Sequence, residues 1–377
     1  MPFRKNVFIV GAGFSAESGA PAIKNFFDVA MELGRDPDTS LSPEERKIFN
    51  RVFDYRQRLV AAEARVHLDL DNIEELFSLI EMESQLGVSG AQQMKADLVY
   101  VILRTLEMSP RDRQELEQDI DYLYRQGGTQ FGANSRGTIY DFFINVVARR
   151  WWPRPEGGLA RDAIISLNYD LLIEEAMYKN GLAPSYGLPA ERTSEVAPAD
   201  SPLCTIRLLK LHGSANWTMC PKHRDKIFVV RPTEASVASQ QNAPNCHICG
   251  EQATARLIVP PTWNKDEYRP HLLPVWQSAA HELESAERIF IIGYSMPEID
   301  RFFRYLLAAG IHKNTLLHEV VVVNSNRDDA LRIANLFRRL FERHRSSSQS
   351  SPLAQWITNR QLQEQTNQVF PVKLPVW

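Results

Sequence analysis

Long apolar runs are missing from this 377-residue chain. No stretch approaches the roughly 18 apolar residues that a membrane-spanning helix needs. Arg4 and Lys5 precede the apolar Val7–Val10, but that run is too short for the core of a secretion signal, so a cytoplasmic location is the default expectation. Cysteine is scarce: four in the whole chain, too few for a disulfide framework at this length. Net charge is nearly absent as well. Against 46 acidic side chains stand 43 Lys and Arg, leaving −3, which gives no global reason for direct nucleic-acid or membrane-surface binding. What remains is an ordinary globular composition, 44% hydrophobic and 24% charged, in a chain long enough for a large core and more than one structural unit.

Within it, short apolar runs alternate with helical patterns. Residues 6–10 read as a buried strand. So do AIISLNYD (163–170), TIRLLKLHGSANW (205–217), ARLIVPPTW (255–263), ERIFIIGYSM (287–296) and HEVVVVNSN (318–326), most of them ending in small or polar residues. Residues 22–150 read mostly as helix; Ile73, Leu76, Phe77 and Ile80 fall at helical spacing. A helix is expected to open at Pro297, and another over 327–341. RSSSQSSP (345–352) reads as a linker before a tail with few apolar anchors. This alternation argues for an α/β protein with a Rossmann-like, doubly wound parallel sheet, a helical insertion and a small cysteine-bearing module. The expected division is sheet core over 1–34, 159–217 and 257–344, helical insertion or lid over 35–158, cysteine module over 218–256, and linker and tail over 345–377. Ligands in such sheets sit at the carboxyl ends of the strands. The polar strand ends, Gly11–Pro21, Asn168–Asp170, His212–Asn216, Gly293–Ser295 and Asn324–Asn326, should therefore converge.

Gly11, Ala12, Gly13 and Ala16 satisfy the G-x-G-x-x-G/A dinucleotide pattern between a strand and a helix. Gly11 permits the turn, Gly13 lets the backbone approach a pyrophosphate, and the helix N-terminus supplies N–H groups. Ser15 and Ser18 either donate to phosphates or cap the first helix; Gly19 and Pro21 close the loop. An ordinary dehydrogenase would continue with a short crossover helix, a second strand and an acidic residue about 20 positions on. A long helical region follows instead, which argues against that class.

Cys220-Pro-Lys-His223 and Cys246-His-Ile-Cys249 form C-x2-H and C-x2-C pairs. Two such pairs suit tetrahedral Zn²⁺ held by sulfur and nitrogen, and four ligands close the shell, so the metal would be structural. His247 is an alternative to His223. Cys204 is left over and most simply packs in the core.

Taken in order, GAGFSAESGAP, LNYD, KLHGS, the cysteine module, GYS and VNSN resemble the sirtuin family over about 1–30 and 160–330. The resemblance implies NAD binding and chemistry at the nicotinamide–ribose bond, with Gly293, Tyr294, Ser295 and Asn324 among the late ribose and phosphate contacts. The sequence departs from the deacylating sirtuins at three places. Ala22, Ile23 and Lys24 replace an Asp-Phe-Arg, LIVPPTWNK stands where a Phe-Gly-Glu strand clamps the acyl-lysine peptide, and Leu167 replaces a glutamine. LNYD, KLHGSANW and FIIGYSMPEID look instead like the sirtuin-like NAD hydrolases of bacterial antiphage systems, which destroy NAD on infection. Many of those pair with a second protein, such as a HerA-type DNA-translocating ATPase, and a homo-oligomer is expected by the same likeness.

Cleavage of the nicotinamide–ribose bond passes through an oxocarbenium-like state, so a rigid, water-excluding site must place one nucleophile under the ribose. An imidazole such as His212 suits taking a proton from a ribose hydroxyl or water near pH 7. The Asn168 amide can hold that water or hydroxyl in line. Asp170 can accept from the nicotinamide amide and favour a developing cation, or cap the helix that follows. Two other readings are an NAD-dependent lysine deacylase and a non-catalytic NAD or ADP-ribose sensor.

Overall fold

The computed structural model describes residues 5–16, 18–22, 25–60, 65–109, 139–147, 162–189, 193–195, 204–224, 226–232, 235, 243–259, 269–297, 300–342 and 369–373. Ile23, Lys24, Trp151, Trp152, the 260–265 part of LIVPPTWNK, the side chain of Cys204 and the Ser-rich stretch 345–352 lie outside the described residues.

Six parallel strands form the centre of the molecule: β1 (Asn6–Val10), β2 (Ala163–Ser166), β3 (Leu182–Ser185), β5 (Cys204–Lys210), β9 (Arg288–Ile292) and β10 (Glu319–Val323). Their order is β10-β9-β1-β2-β5-β3, with β11 (Val369–Lys373) antiparallel on the β10 edge. Val7 pairs with Ala163 on one side and with Ile289 on the other. Both faces of β1 are covered, so Val7–Val10 is a continuous buried run rather than an alternating one. Proline, which donates nothing to a ladder, occurs in both outermost strands, at Pro184 in β3 and Pro371 in β11. The chain runs from β1 to β2, β3 and β5 on one side and returns to β9 and β10 on the other. The carboxyl ends of β1 and β9 therefore bound a topological switch, where open α/β sheets form their crevice.

Helices clothe this sheet in two ways. In the first group are α1 (Ala12–Ala16), α2 (Phe26–Arg35), α3 (Pro43–Arg58), α4 (Ile73–Gln85) and α5 (Ala91–Met108). The last four share an apolar cluster of their own, with Phe26, Phe49, Leu76, Phe77, Ile80 and Leu98 buried together. Local signals start them: Ser42 and Glu45 form a reciprocal capping box on α3 with Pro43 just inside, and Asn72 accepts from the Glu74 N–H to cap α4. By contrast α6 (Ile139–Val147) packs Tyr140, Ile144 and Val147 into the sheet core. Sheet-side helices complete the chain as α7 (Leu172–Lys179), α8 (Arg269–Glu284), α9 (Arg301–Ile311) and α10 (Arg327–Glu342).

The structure departs from the sequence reading at three places. Residues 205–217 are not one strand. β5 ends at Lys210, and Gly213 opens β6 (Gly213–Met219) in a second sheet, ordered β4 (Thr193–Glu195), β7 (Ile227–Val229), β6, β8 (Ala255–Ile258). The corner exists because Gly213 adopts φ +83°, and a Cβ there would stand 2.0 Å from the Leu257 carbonyl oxygen. Pro297 does not open a helix: α9 starts at Arg301, where the Asp300 carboxylate accepts from the Phe303 N–H as the cap. The tail, read as a few apolar anchors, supplies the edge strand β11.

The corner gives a direct test. Gly213→Ala combines a left-handed φ with a backbone clash and should cost about 2 kcal/mol or more in a denaturant melt. Gly87→Ala, at φ +72° but with open space around it, should cost about 1–2 kcal/mol from the backbone conformation alone, clearly less than Gly213→Ala. Equal effects would show that the close approach to β8 is unimportant.

Candidate active site

The glycine turn is built against the end of β9. Gly11 N–H donates to Ile292 O (3.0 Å) and Gly13 N–H to Gly293 O (2.7 Å). A Cβ on Gly11 would stand 2.7 Å from Tyr294 Cβ, and one on Gly13 would stand 2.9 Å from Gly293 Cα. The glycines are therefore required by two protein loops in backbone contact, and the Gly13 N–H is already engaged. Ser18 Oγ donates to Ser15 O (2.8 Å), Gly19 turns the chain at φ +83°, and Pro21 is buried beyond it. Tyr140 on α6 donates to Phe14 O (2.9 Å) and pins the loop from the sheet side.

Across the crevice, the turn after β2 locks onto this loop. Asn168 Nδ2 donates to Gly11 O (2.9 Å) and to Ser15 Oγ (2.8 Å), and Ser15 Oγ donates to Asp170 Oδ2 (2.7 Å). A carbonyl oxygen only accepts, so the contact with Gly11 O fixes which end of the Asn168 amide is nitrogen. Both amide protons are used, and Asn168 presents its Oδ1 as the remaining acceptor. Asp170 also accepts from the Leu172 N–H (3.2 Å) at the start of α7, so one carboxylate ties the start of that helix to Ser15.

His212 sits at the corner between the two sheets and is 3% exposed. Its ring lies edge-on to Tyr169 and to Trp276, with centroids 6.3 Å away in each case. Trp276 Nε1 donates to Leu211 O (2.9 Å) and Tyr169 Oη to Val259 O (3.2 Å), while Val259 N–H donates to His212 O (2.8 Å). The Asn168–Asp170 turn and the His212 corner are further joined by Leu211 N–H to Ser166 O (3.0 Å) and Ala215 N–H to Tyr169 O (2.9 Å). On the far side, Asn324 Nδ2 donates to Tyr294 O (3.2 Å) and Tyr294 Oη to Asp300 Oδ2 (2.6 Å). Arg332 binds the Ser295 and Met296 carbonyls. Asn168, Asp170, Ser15 and Gly11 are thus directly bonded, His212 adjoins them through Tyr169, and Tyr294 and Asn324 line the β9–β10 side.

Burial raises the Tyr169 hydroxyl well above its usual range, with the charges of Glu74 and Asp300 adding to it. Tyr294 is raised by burial, then by Asp300, with Glu74 contributing. Tyr169 packs against the helical cluster of α2–α5. Sequence reasoning passed over Tyr169, Trp276, Lys210 and Glu174. For Lys210 the signal was present: a charge inside the apolar run TIRLLKLHG.

The second sheet carries the cysteines. The ligand atoms of Cys220, His223, Cys246 and Cys249 all lie within 4.8 Å of one another, a group that can hold a metal ion. Cys220 Sγ is 3.6 Å from Cys249 Sγ and 3.8 Å from His223 Nδ1, and Cys246 Sγ is 3.6 Å from His223 Nδ1. Atoms bound tetrahedrally at about 2.0–2.3 Å would be spaced about 3.5–3.8 Å apart, so the donor set fits. The histidine of the cluster is His223; the His247 ring lies 5.7 Å from that of Phe228. β6 runs directly from the His212 corner to Cys220.

No family model matches the chain, and no curated protein matches it. Solved structures do. The chain is 15% identical to a Sir2 enzyme, with 86% of this chain and 82% of that one covered and a TM-score of 0.35. It is 14% identical to a Sir2 homologue in complex with NAD (85% and 78% covered, TM-score 0.34). With Sir2 bound to a p53 peptide and NAD+ the identity is 13% (91% and 95% covered, TM-score 0.36).

Ser15 offers a test of the site's construction. Ser15→Ala removes a buried hydroxyl that bridges Asn168 and Asp170 and should cost about 1–3 kcal/mol in a denaturant melt. A loss near zero would mean that the bridge does not hold the two turns together.

Proposed function

We propose that the chain is an NAD+ glycohydrolase that cleaves the nicotinamide–ribose bond with water, yielding ADP-ribose, nicotinamide and a proton. The observation that carries this reading is the bonding of the glycine turn to Asn168 and Asp170 through Gly11 O and Ser15 Oγ, beside a buried histidine. The motif resemblance assigns the dinucleotide to the same strand ends. Asn168 Oδ1 is the acceptor that would orient the attacking O–H, and His212 the base that would take its proton. Asp170 contributes negative charge close to the developing ribosyl cation. Gly11, Ala12, Gly13, Ser15, Ser18, Gly19 and Pro21 would form the phosphate side, with Gly293, Tyr294, Ser295 and Asn324 on the adenosine side. The wider setting follows the resemblance: antiphage defence by NAD depletion, as a cytoplasmic homo-oligomer restrained by a partner such as a HerA-type ATPase. The division into sheet core, helical lid and cysteine module is part of the same proposal.

His212→Ala should lower nicotinamide release by roughly 10²-fold or more while leaving the fold and the metal site intact. Asn168→Ala should lower it at least as much and, because it also removes the buried bonds to Gly11 O and Ser15 Oγ, should cost about 1–3 kcal/mol of stability as well. Release that survives in His212→Ala would overturn its assignment as the base.

The metal in this reading is zinc, held by Cys220, His223, Cys246 and Cys249 in a closed shell that supplies folding energy rather than chemistry. Elemental analysis should give one zinc per chain. Cys246→Ser should lose the metal and lower thermal stability. Well below one zinc per chain in freshly purified protein would contradict this.

A further inference from the structure

Lys210 and Glu174 are among the most buried charges of the molecule, with side chains 1% exposed in each case, and they face each other at 2.8 Å. Removing two charges from water costs several kcal/mol per ion, and their attraction offsets this only when further hydrogen bonds satisfy both groups. Glu174 Oε2 is buried without a hydrogen-bond partner among the described residues, so the pair is not fully satisfied, and the remaining partners of Lys210 and of Glu174 Oε1 explain the placement. Lys210 Nζ also donates to Asp170 O and reaches Tyr169 O at 3.5 Å, the carbonyls of the turn that follows Asn168. Glu174 Oε1 accepts from Lys210, from Ser214 Oγ (3.3 Å) and from Tyr186 Oη (3.5 Å). In sequence, Lys210 stands two residues before His212 and Ser214 two residues after it. Glu174 stands four residues after Asp170, in the first turn of α7, where a carboxylate suits the helix dipole. One carboxylate oxygen thus gathers both flanks of the His212 corner, and the ammonium beside it holds the Asn168–Asp170 turn.

We propose that Lys210 and Glu174, with Ser214, form a positioning unit that sets the register between the Asn168–Asp170 turn and the His212 corner. This rests on the reading of Asn168 and His212 as the catalytic pair. None of the three is a catalytic residue; each acts through the turn or corner that it holds. The geometry explains why a charge pair occupies a place where apolar side chains of similar volume would pack. An apolar pair offers no donor to the Asp170 and Tyr169 carbonyls and no acceptor to Ser214. Burial also pushes the Glu174 carboxyl up, with Lys210 pulling it down; the ion pair is held against that cost.

The test separates position from stability. Lys210→Met and Glu174→Leu each strand a buried charge and should destabilise the chain strongly, whereas the Lys210→Met/Glu174→Leu double variant removes both charges and should melt higher than either single. If the pair is only structural, nicotinamide release recovers along with stability. If it positions, kcat of the double variant stays roughly 10²-fold down, with little change in the KM for NAD. The backbone amides of residues 167–171 then also exchange with deuterium about tenfold faster than in the unmodified chain. Ser214→Ala, which removes one tie and no charge, is the second variant, for the case in which the double does not fold; it should show a several-fold drop in kcat and faster exchange over the same residues. Wild-type exchange over 167–171 in whichever of these variants folds overturns the proposal. Absence of NAD cleavage by the unmodified chain overturns the functional reading instead, and the exchange measurement still decides the positioning claim.

Discussion

Everything at the crevice hangs on the side-chain amide of Asn168. Its two protons go to Gly11 O and Ser15 Oγ, which belong to a loop more than 150 residues earlier in the chain. That contact is possible only because β1 and β2 are adjacent and parallel, with Val10 opposite Ser166. The loop in turn is held against the end of β9 by the Gly13–Gly293 backbone contact, where no side chain fits. A central strand, its neighbours on each side and one amide therefore define the site. The helices, the second sheet and the cysteine cluster support that arrangement.

The support comes from two directions. From one side, the apolar cluster of α2–α5 packs against Tyr169. From the other, β6 carries the chain from the His212 corner to Cys220, so a metal bound there would anchor the far end of the strand that starts at that corner. His212, between Tyr169 and Trp276, is screened from bulk solvent, as the proposed chemistry at a glycosyl cation would require.

Much of the sheet was legible because buried parallel strands are short apolar runs with polar ends. The convergence of Gly11, Ser15, Asn168 and Asp170 followed from that architecture alone. The four-member donor cluster was legible from its paired spacing, although His223 and His247 were separable only in three dimensions. Other features were not legible. The break at Gly213 hides inside an apolar run, and its cause is the Leu257 carbonyl, remote in sequence. Asp300 outcompeted Pro297 as a helix start because its carboxylate reaches the Phe303 N–H. The requirement for glycine at position 13 looked like clearance for a ligand phosphate, and its partner, Gly293, is 280 residues away. Lys210 and Glu174 were missed because periodicity marks a lone charge as an exception without naming what it meets.

The most direct measurement is nicotinamide release from NAD by the purified chain, made with and without an acyl-lysine peptide. The account predicts release in the absence of peptide, with ADP-ribose as the co-product and no acceleration when peptide is added. Release that strictly requires the acyl-lysine peptide, with the acyl group transferred to the ribose, would contradict it and identify the crevice as a deacylase site.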